Sequence, residues 1–306
     1  MTIINDKNFQ MQSNTVVTFG KFDGIHKGHR KLFKTAREIA DKENLPLVAF
    51  TFKVCEGCKF GYMENSRITT DKERNEIFES LGADYVVEFP FDEEVAATEA
   101  MDFIRNVISN MLKASYVVVG TDWTFGKNKA GNTDVLKASQ KLFNFTAVVM
   151  EKELYQQREI GSSWIREEII NGNMENATIL LDYPYTISGN VCHGKKIGST
   201  MGIPTVNIVP EEEKILPPYG VYASKVYIGN ELYYGVTNIG VRPSVPEQNG
   251  LAIETFILDF DKDIYEEDIK VCLCHFQRPE MKFSDMQALA KQIEQDIQFT
   301  KSYFMI

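Results

Sequence analysis

The sequence predicts two domains of different fold class. Residues 1–182 read as an α/β domain built on a doubly wound, Rossmann-like parallel sheet, and residues 183–306 as a small antiparallel β-barrel with a C-terminal helix. Three observations carry this. Short apolar runs alternate with helical patterns through the first half, the signature of a parallel sheet covered on both faces. Beyond Asp182-Tyr183-Pro184-Tyr185 the apolar period changes to two, with turns between evenly spaced short strands. At 306 residues and 43% apolar content, the chain is long enough for two cores of ordinary domain size.

In the first half, Val16-Val17-Thr18-Phe19 is a strand, followed by a glycine-rich turn and a helix with Leu32, Phe33, Ala36, Ile39 and Ala40 on its apolar face. The run Pro46 to Phe52 is the next strand. Thr70-Asp71-Lys72-Glu73 is a capping box, and Gly82 ends the helix that it opens. Strands follow at residues 85–89, 116–119 and 145–150, with a helix marked by Met101, Ile104, Val107, Ile108 and Met111 between the first two. In such a sheet ligands bind outside the carboxyl ends of the strands.

In the second half, strands are expected at residues 185–191, 220–227, 232–236, 254–260 and 269–273, with Gly229-Asn230 as a hairpin turn. The final helix begins at a Ser284/Gln287 capping box. It carries Met286, Leu289, Ile293 and Ile297 as one stripe packed on the barrel.

Composition excludes several function classes. A formal charge of −10 argues against nucleic-acid binding, so any polyanion site must be a local basic pocket. No apolar run approaches the ~20 residues of a membrane span, and the N-terminus lacks a signal-peptide pattern. Five cysteines, an odd number, fit a reducing cytoplasm. Cys55-Glu56-Gly57-Cys58 has metal-ligand or redox spacing but no second pair beside it, which disfavours a metal.

Four stretches carry chemistry. In Gly20-Lys21-Phe22-Asp23-Gly24-Ile25-His26-Lys27-Gly28-His29, imidazoles and helix N–H groups meet at a strand-to-helix turn, which suits phosphate; the plain alternative is that the histidines cap the helix. Gly120-Thr121-Asp122-Trp123-Thr124-Phe125-Gly126 combines a carboxylate with aromatics, either for an aromatic ligand or as a surface loop around a buried tryptophan. Gly161-Ser162-Ser163-Trp164-Ile165-Arg166 is a hydroxyl-rich helix start that binds phosphate or simply caps. The loop from Gly189 to Gly202 and the following Pro204-Thr205-Val206-Asn207 bring glycines, lysines and a Thr/Asn pair able to share Mg²⁺; the alternative is a structural corner. Glu254, in an apolar strand, requires a partner, a function or solvent.

The first three stretches, in this order, resemble the adenylyltransferase module of bacterial bifunctional FAD synthetases, a nucleotidyltransferase domain. The resemblance implies transfer of AMP from ATP to FMN with release of pyrophosphate. It implies ATP or phosphate contacts at Gly20, Phe22, Asp23, Gly24 and Gly28, and phosphate donation by His26 and His29. Ser162, Ser163 and Arg166 would hold the β/γ end, while Asp122, Trp123 and Phe125 would face the flavin. The chain departs from that family after Thr51-Phe52, where Lys53-Val54-Cys55 replaces an Asp-Pro-His-Pro-like run.

Gly194 to Asn207, Pro217-Pro218-Tyr219-Gly220, Asn238-Ile239-Gly240-Val241-Arg242-Pro243, residues 254–260 and Arg278-Pro279-Glu280 together resemble riboflavin kinases over nearly the whole second half. That implies γ-phosphate transfer from ATP to the ribityl hydroxyl of riboflavin, with Glu254 as proton acceptor and Thr205 and Asn207 as Mg²⁺-ATP ligands. Gly194, Lys195, Gly198 and Gly202 would form the phosphate flap, and Arg242 would contact the flavin. The expectation is a cytoplasmic enzyme of flavin cofactor synthesis using small-molecule substrates (riboflavin, FMN and ATP), with Mg²⁺ as cofactor and with neither nucleic acid nor membrane as partner; a homo-oligomer is left open. Two alternatives stay open: a riboflavin kinase whose N-terminal module is impaired or acts on another substrate, and a non-catalytic flavin sensor.

Overall fold

The computed structural model describes residues 1–54, 66–192, 203–241 and 251–306. Cys55, Cys58, Gly194, Lys195, Gly198, Gly202 and Arg242 lie outside these residues. The described chain forms two compact units, one of residues 1–54 and 69–162 and the other of residues 66–68 and 163–306.

The first unit is built on a six-stranded, all-parallel sheet with strand order β1-β4-β3-β2-β5-β6. Its strands are β1 (Thr2–Ile4), β2 (Thr15–Phe19), β3 (Leu47–Val54), β4 (Tyr85–Phe91), β5 (Ala114–Gly120) and β6 (Thr146–Met150). Helices α1 (Lys27–Glu43), α2 (Asp71–Ser80), α3 (Glu93–Ala96), α4 (Ala100–Phe103) and α5 (Thr133–Phe143) connect them. Both sheet faces are buried. Val17, Phe19, Phe50, Val87, Val117 and Val119 join one cluster, and Val16, Leu47, Ala49, Val86 and Val118 join another with Phe33 of α1 and Phe78 of α2. That explains the uninterrupted apolar runs. The chain moves from β2 outward through β3 to β4 and then returns to the other side of β2 as β5. The order therefore reverses between β2 and β5, and the crevice beyond their carboxyl ends is the place for a ligand.

Three details differ from expectation. The edge strand β1 is only three residues long, too short to show a period, yet it pairs with β4 from Thr2↔Tyr85 onward. The helix marked by Met101 and Met111 begins as α4 but continues as a π-helix over Ile104–Met111. Its Ile104, Val107 and Ile108 are buried, whereas Met101 is exposed. After β6 a small hairpin, β7 (Leu154–Tyr155) with β8 (Arg158–Glu159), leads to α6 (Ser162–Ile170).

The second unit contains most of α6, α7 (Met174–Leu181), a closed barrel and α8 (Met286–Phe304). The barrel order is β10-β13-β12-β11-β14-β9, closed on itself, so that no strand is left as an edge. These strands are β9 (Tyr185–Cys192), β10 (Val206–Ile208), β11 (Gly220–Ile228), β12 (Glu231–Val241), β13 (Leu251–Ile257) and β14 (Asp268–Pro279). Gly229, at φ 56°, makes the tight β11–β12 turn. The Pro-Thr-x-Asn segment reads in sequence as an extended Thr/Asn pair, with a structural corner as the alternative; its second half is strand β10, paired on both sides.

Along β13 the side chains alternate: Ile253, Thr255 and Ile257 face the interior, and Glu254 and Phe256 the outer side. The interior holds a hydroxyl ladder as well as apolar groups. Ser224 meets Thr237 at 2.7 Å, Thr237 meets Thr255 at 2.9 Å, and Ser224 donates to Gly235 O. All three residues are buried, so each hydroxyl takes its partner from the next strand.

The final helix is capped by Asp285, which accepts from Ala288 N, and not by the expected Ser284/Gln287 box. A carboxylate one residue nearer the helix takes the position. Met286, expected on the packed stripe, is exposed. The buried positions of α8 are polar: Asp296 takes Arg278 Nε and Nη2, and Thr300 accepts from Gln277.

Candidate active sites

The carboxyl ends of β2 and β5 carry the two loops singled out in the sequence. Beyond Gly20 the backbone is contorted, with positive φ at Phe22 (50°), Gly24 (85°) and Ile25 (33°). Two of these are not glycine, so surrounding structure must hold the turn. The Phe22 ring supplies part of that hold, buried against Phe33, Phe78 and the edge of His29. Gly20 is required here because a Cβ would lie 2.8 Å from that ring. The ring of Phe22 therefore belongs to the core, and any ATP contact at this residue falls to its backbone.

Thr69 and Asp23 supply the rest of the hold. Thr69 N donates to Asp23 Oδ1, and Gly24 N donates to Thr69 Oγ1. Thr69 directly precedes the Thr70–Glu73 capping box, which the structure shows complete. Sequence reading passed over Thr69, because its partner lies 46 residues away across the sheet. Ser162 Oγ donates to the carbonyl of Asp23 at 2.8 Å, tying the start of α6 to the same turn.

His26 occupies the N-cap position of α1, yet its side chain makes no capping hydrogen bond, and the first turn holds no acidic residue. The capping alternative therefore does not describe it. His26 and His29 are stacked, with ring centroids 3.8 Å apart at 25°. Gly28 makes room for this, since a Cβ there would sit 3.2–3.3 Å from the His26 ring. Among the described residues Nδ1 of each histidine is buried without a partner. Burial pushes His26 down to about 4, the Asp122 charge opposing it, and burial plus neighbouring His26 hold His29 well below the usual range. Both rings are thus neutral at pH 7, each with one N–H to donate and one lone pair. Uncapped helix N–H groups, two neutral imidazoles and no nearby acid on the first turn suit an anion.

The loop after β5 places Trp123 stacked on Phe125 at 4.5 Å and 5.0 Å from Phe19 at the end of β2. Phe125 is buried and bridged to Gly131, so it anchors the loop, whereas Trp123 is half-buried. Asp122 is exposed and pairs with Lys152 at 3.2 Å. Lys152, which also meets Glu159 at 2.7 Å, was not among the residues expected; its place at the end of β6 was the available signal. Lys53, in the departing run, lies 3.3 Å from buried Glu88, which also takes Arg74 at 2.7 Å. The cation that replaces the family's usual run is thus neutralised within the sheet edge. Ser163 and Arg166 are counted with the second unit, where Arg166 Nε donates to Ser66 O at 2.7 Å.

In the barrel a second constellation forms by register. Asn207 of β10 lies opposite Glu254 of β13, and Glu254 lies opposite Asn238 of β12. Cross-strand partners share a face, so the three polar side chains line the outer side of the wall. Asn207 is buried; its Oδ1 has no partner among the described residues, and its Nδ2 reaches Thr205 O at 3.5 Å. A buried, unsatisfied carbonyl oxygen beside a threonine fits a hard oxygen-seeking cation such as Mg²⁺.

The fold pairs a parallel sheet whose strand order reverses between β2 and β5 with a closed barrel that carries Asn207, Glu254 and Asn238 on one face, an architecture that fits a transferase with two separate sites. The FAD synthetase family profile matches residues 8–164, and the riboflavin kinase profile matches residues 181–304. The chain is 33% identical to the bifunctional riboflavin kinase/FMN adenylyltransferase of Listeria monocytogenes, over 95% of this chain and 93% of that protein. It is 34% identical to the Bacillus subtilis enzyme of that name, over 96% and 93%, and 32% identical to that of Escherichia coli K12, over 96% and 94%. A crystal structure from Streptococcus pneumoniae described as a macrolide-efflux protein superposes with a TM-score of 0.86 at 30% identity, covering 98% of this chain and 99% of that one. Among the described residues no helix is long and apolar enough to cross a membrane. The chain belongs to the bifunctional riboflavin kinase/FMN adenylyltransferase family.

Proposed function

We propose that this chain converts riboflavin to FMN and FMN to FAD, with one ATP consumed in each step, and that the catalytic domains are residues 1–182 and 183–306. The observation that carries the reading is the pairing of two dissimilar sites in one chain. One offers neutral anion donors with no base; the other offers a carboxylate beside a cation-type oxygen.

Adenylyl transfer needs no base, because the phosphate of FMN is largely ionised, its second pKa being about 6. It attacks the α-phosphorus of ATP, and the bond to pyrophosphate breaks. His26, His29 and the open α1 N-terminus stabilise the charge that moves outward. Gly20, Gly24 and Gly28 give the backbone access, Asp23 holds the turn, and Asp122 and Trp123 face the flavin. Ser163 and Arg166 are assigned to ATP phosphate by family resemblance.

Phosphoryl transfer to riboflavin differs because a ribityl hydroxyl keeps its proton. Glu254 accepts that proton as the hydroxyl oxygen bonds to the γ-phosphorus and ADP leaves. Thr205 and Asn207 would hold Mg²⁺ with ATP, which would supply charge neutralisation at the phosphate oxygens. The setting is the cytoplasm. Two variants test the halves separately: Glu254→Ala should abolish FMN formation from riboflavin, and His26→Ala/His29→Ala should abolish FAD formation from FMN while sparing FMN formation. Undiminished product in either variant would remove the named residues from their roles.

A further inference from the structure

Adjacent strands β5 and β6 end in register, with Gly120 opposite Met150, and Thr121 N donates to Met150 O at 3.1 Å. Two residues beyond each strand end stand Asp122 and Lys152, whose side chains meet at 3.2 Å. Asp122 turns back over its own strand end: a Cβ at Gly120 would lie 3.1 Å from its Oδ1. Its charge reaches His26, where it opposes the effect of burial. Lys152 also donates to Glu159 of β8 at 2.7 Å, while the neighbouring Glu153 is paired with Lys31 of α1. One partly buried lysine thus serves two exposed carboxylates at the rim of the crevice. The roles assigned above leave it unused.

Asp122 presents this crevice with a conflict. A carboxylate suits a flavin ring as a hydrogen-bond acceptor. Its charge, however, repels the phosphates that both substrates must bring past it. We propose that Lys152 is a positioning residue for adenylyl transfer, its ammonium holding the Asp122 carboxylate over the end of β5 and cancelling its charge where the phosphate-bearing nucleophile enters. Glu159 anchors the lysine, whose flexible stem would otherwise leave the ammonium unplaced. The Glu159 pair, with burial opposing it and Asp122 adding to it, holds the lysine above its ordinary pKa, so the cation persists at any pH where the enzyme works. A neutral donor in its place could orient Asp122 but would leave the charge standing, and that difference makes the role testable.

The inference rests on the adenylyltransferase reading, so the experiment separates the two. FAD formation from FMN is measured for the parent chain, Lys152→Met and Lys152→Arg at low and high ionic strength, and for Lys152→Met combined with Asp122→Asn against Asp122→Asn alone. FMN formation from riboflavin and thermal unfolding check the fold. Lys152→Met should raise KM for FMN by about fivefold or more, with a smaller change in kcat, as removal of one close, partly screened charge does. Lys152→Arg keeps the charge and should stay within about twofold of the parent. High salt should shrink the Lys152→Met effect. Where Asp122→Asn has already removed the charge, the same substitution should change KM by less than about twofold. A brace without an electrostatic role would show the same loss in every case. A KM for Lys152→Met within twofold of the parent, or a loss that salt or Asp122→Asn leaves undiminished, would overturn the proposal while leaving the adenylyltransferase reading intact; if Asp122→Asn forms no FAD, the salt comparison decides. A parent chain that forms no FAD from FMN would overturn both.

Discussion

His26 has an unmet Nδ1, a stacked partner and a pKa lowered to about 4 by burial. The unfolded chain takes up a proton on this ring near pH 6.5, and the folded turn only near pH 4. Stability from keeping the ring neutral is therefore complete above pH 6.5 and is lost as pH falls through that window. The slope is about 1.4 kcal/mol per unit, or about 3 kcal/mol by pH 4. Denaturant melts at pH 7 and 4.5 should show His26→Asn losing less stability on acidification than the parent; equal losses would contradict the burial argument. The same turn predicts that Gly28→Ala, by pressing on the His26 ring, lowers FAD formation while leaving FMN formation unchanged. Product analysis of the two half-reactions checks this. The candidate residues at this turn were legible because His-x-Gly-His is a local pattern. The roles of Phe22 and Phe125 were less so: an aromatic residue in a loop reads the same whether it meets a flavin or, as here, the core. Thr69 was invisible, since nothing local joins it to Asp23.

At the scale of elements, periodicity located the central strands and the helices α1, α2 and α8, because burial on one or two faces imposes it, but it passed over α5 (Thr133–Phe143). It failed where length or chemistry broke the rule. β1 and β10 have three residues each, too few for a period, and they exist through pairing with neighbours. In α8 the expected apolar stripe gives way at its centre to an ion pair, because Arg278 on β14 needs a buried carboxylate opposite it. Breaking that pair leaves a largely buried guanidinium uncompensated. Asp296→Ala should cost about 3 kcal/mol, read as a lower thermal midpoint and early loss of FMN formation on heating. Asp285→Ala removes only a cap and should cost about 1 kcal/mol, so the two variants rank the contacts that hold the helix.

For the whole molecule, the change of apolar period near residue 183 was the most informative single signal. It separated a sheet that needs covering on both faces from a barrel that closes on itself. The compact units divide at Ser162/Ser163 and the family profiles at 164 and 181, because a contact boundary and a sequence-family boundary measure different things. Helix α7 shows why: its Glu175 meets His275 of β14, so it packs with the barrel although it precedes it in sequence. What joins the two units functionally is that the first product is the second substrate. The most direct test is a chromatographic time course with purified chain, riboflavin, ATP and Mg²⁺. The expected result is FMN rising first and FAD following, with neither formed when Mg²⁺ is chelated; FMN accumulating with no FAD, or riboflavin left unchanged, would contradict the account.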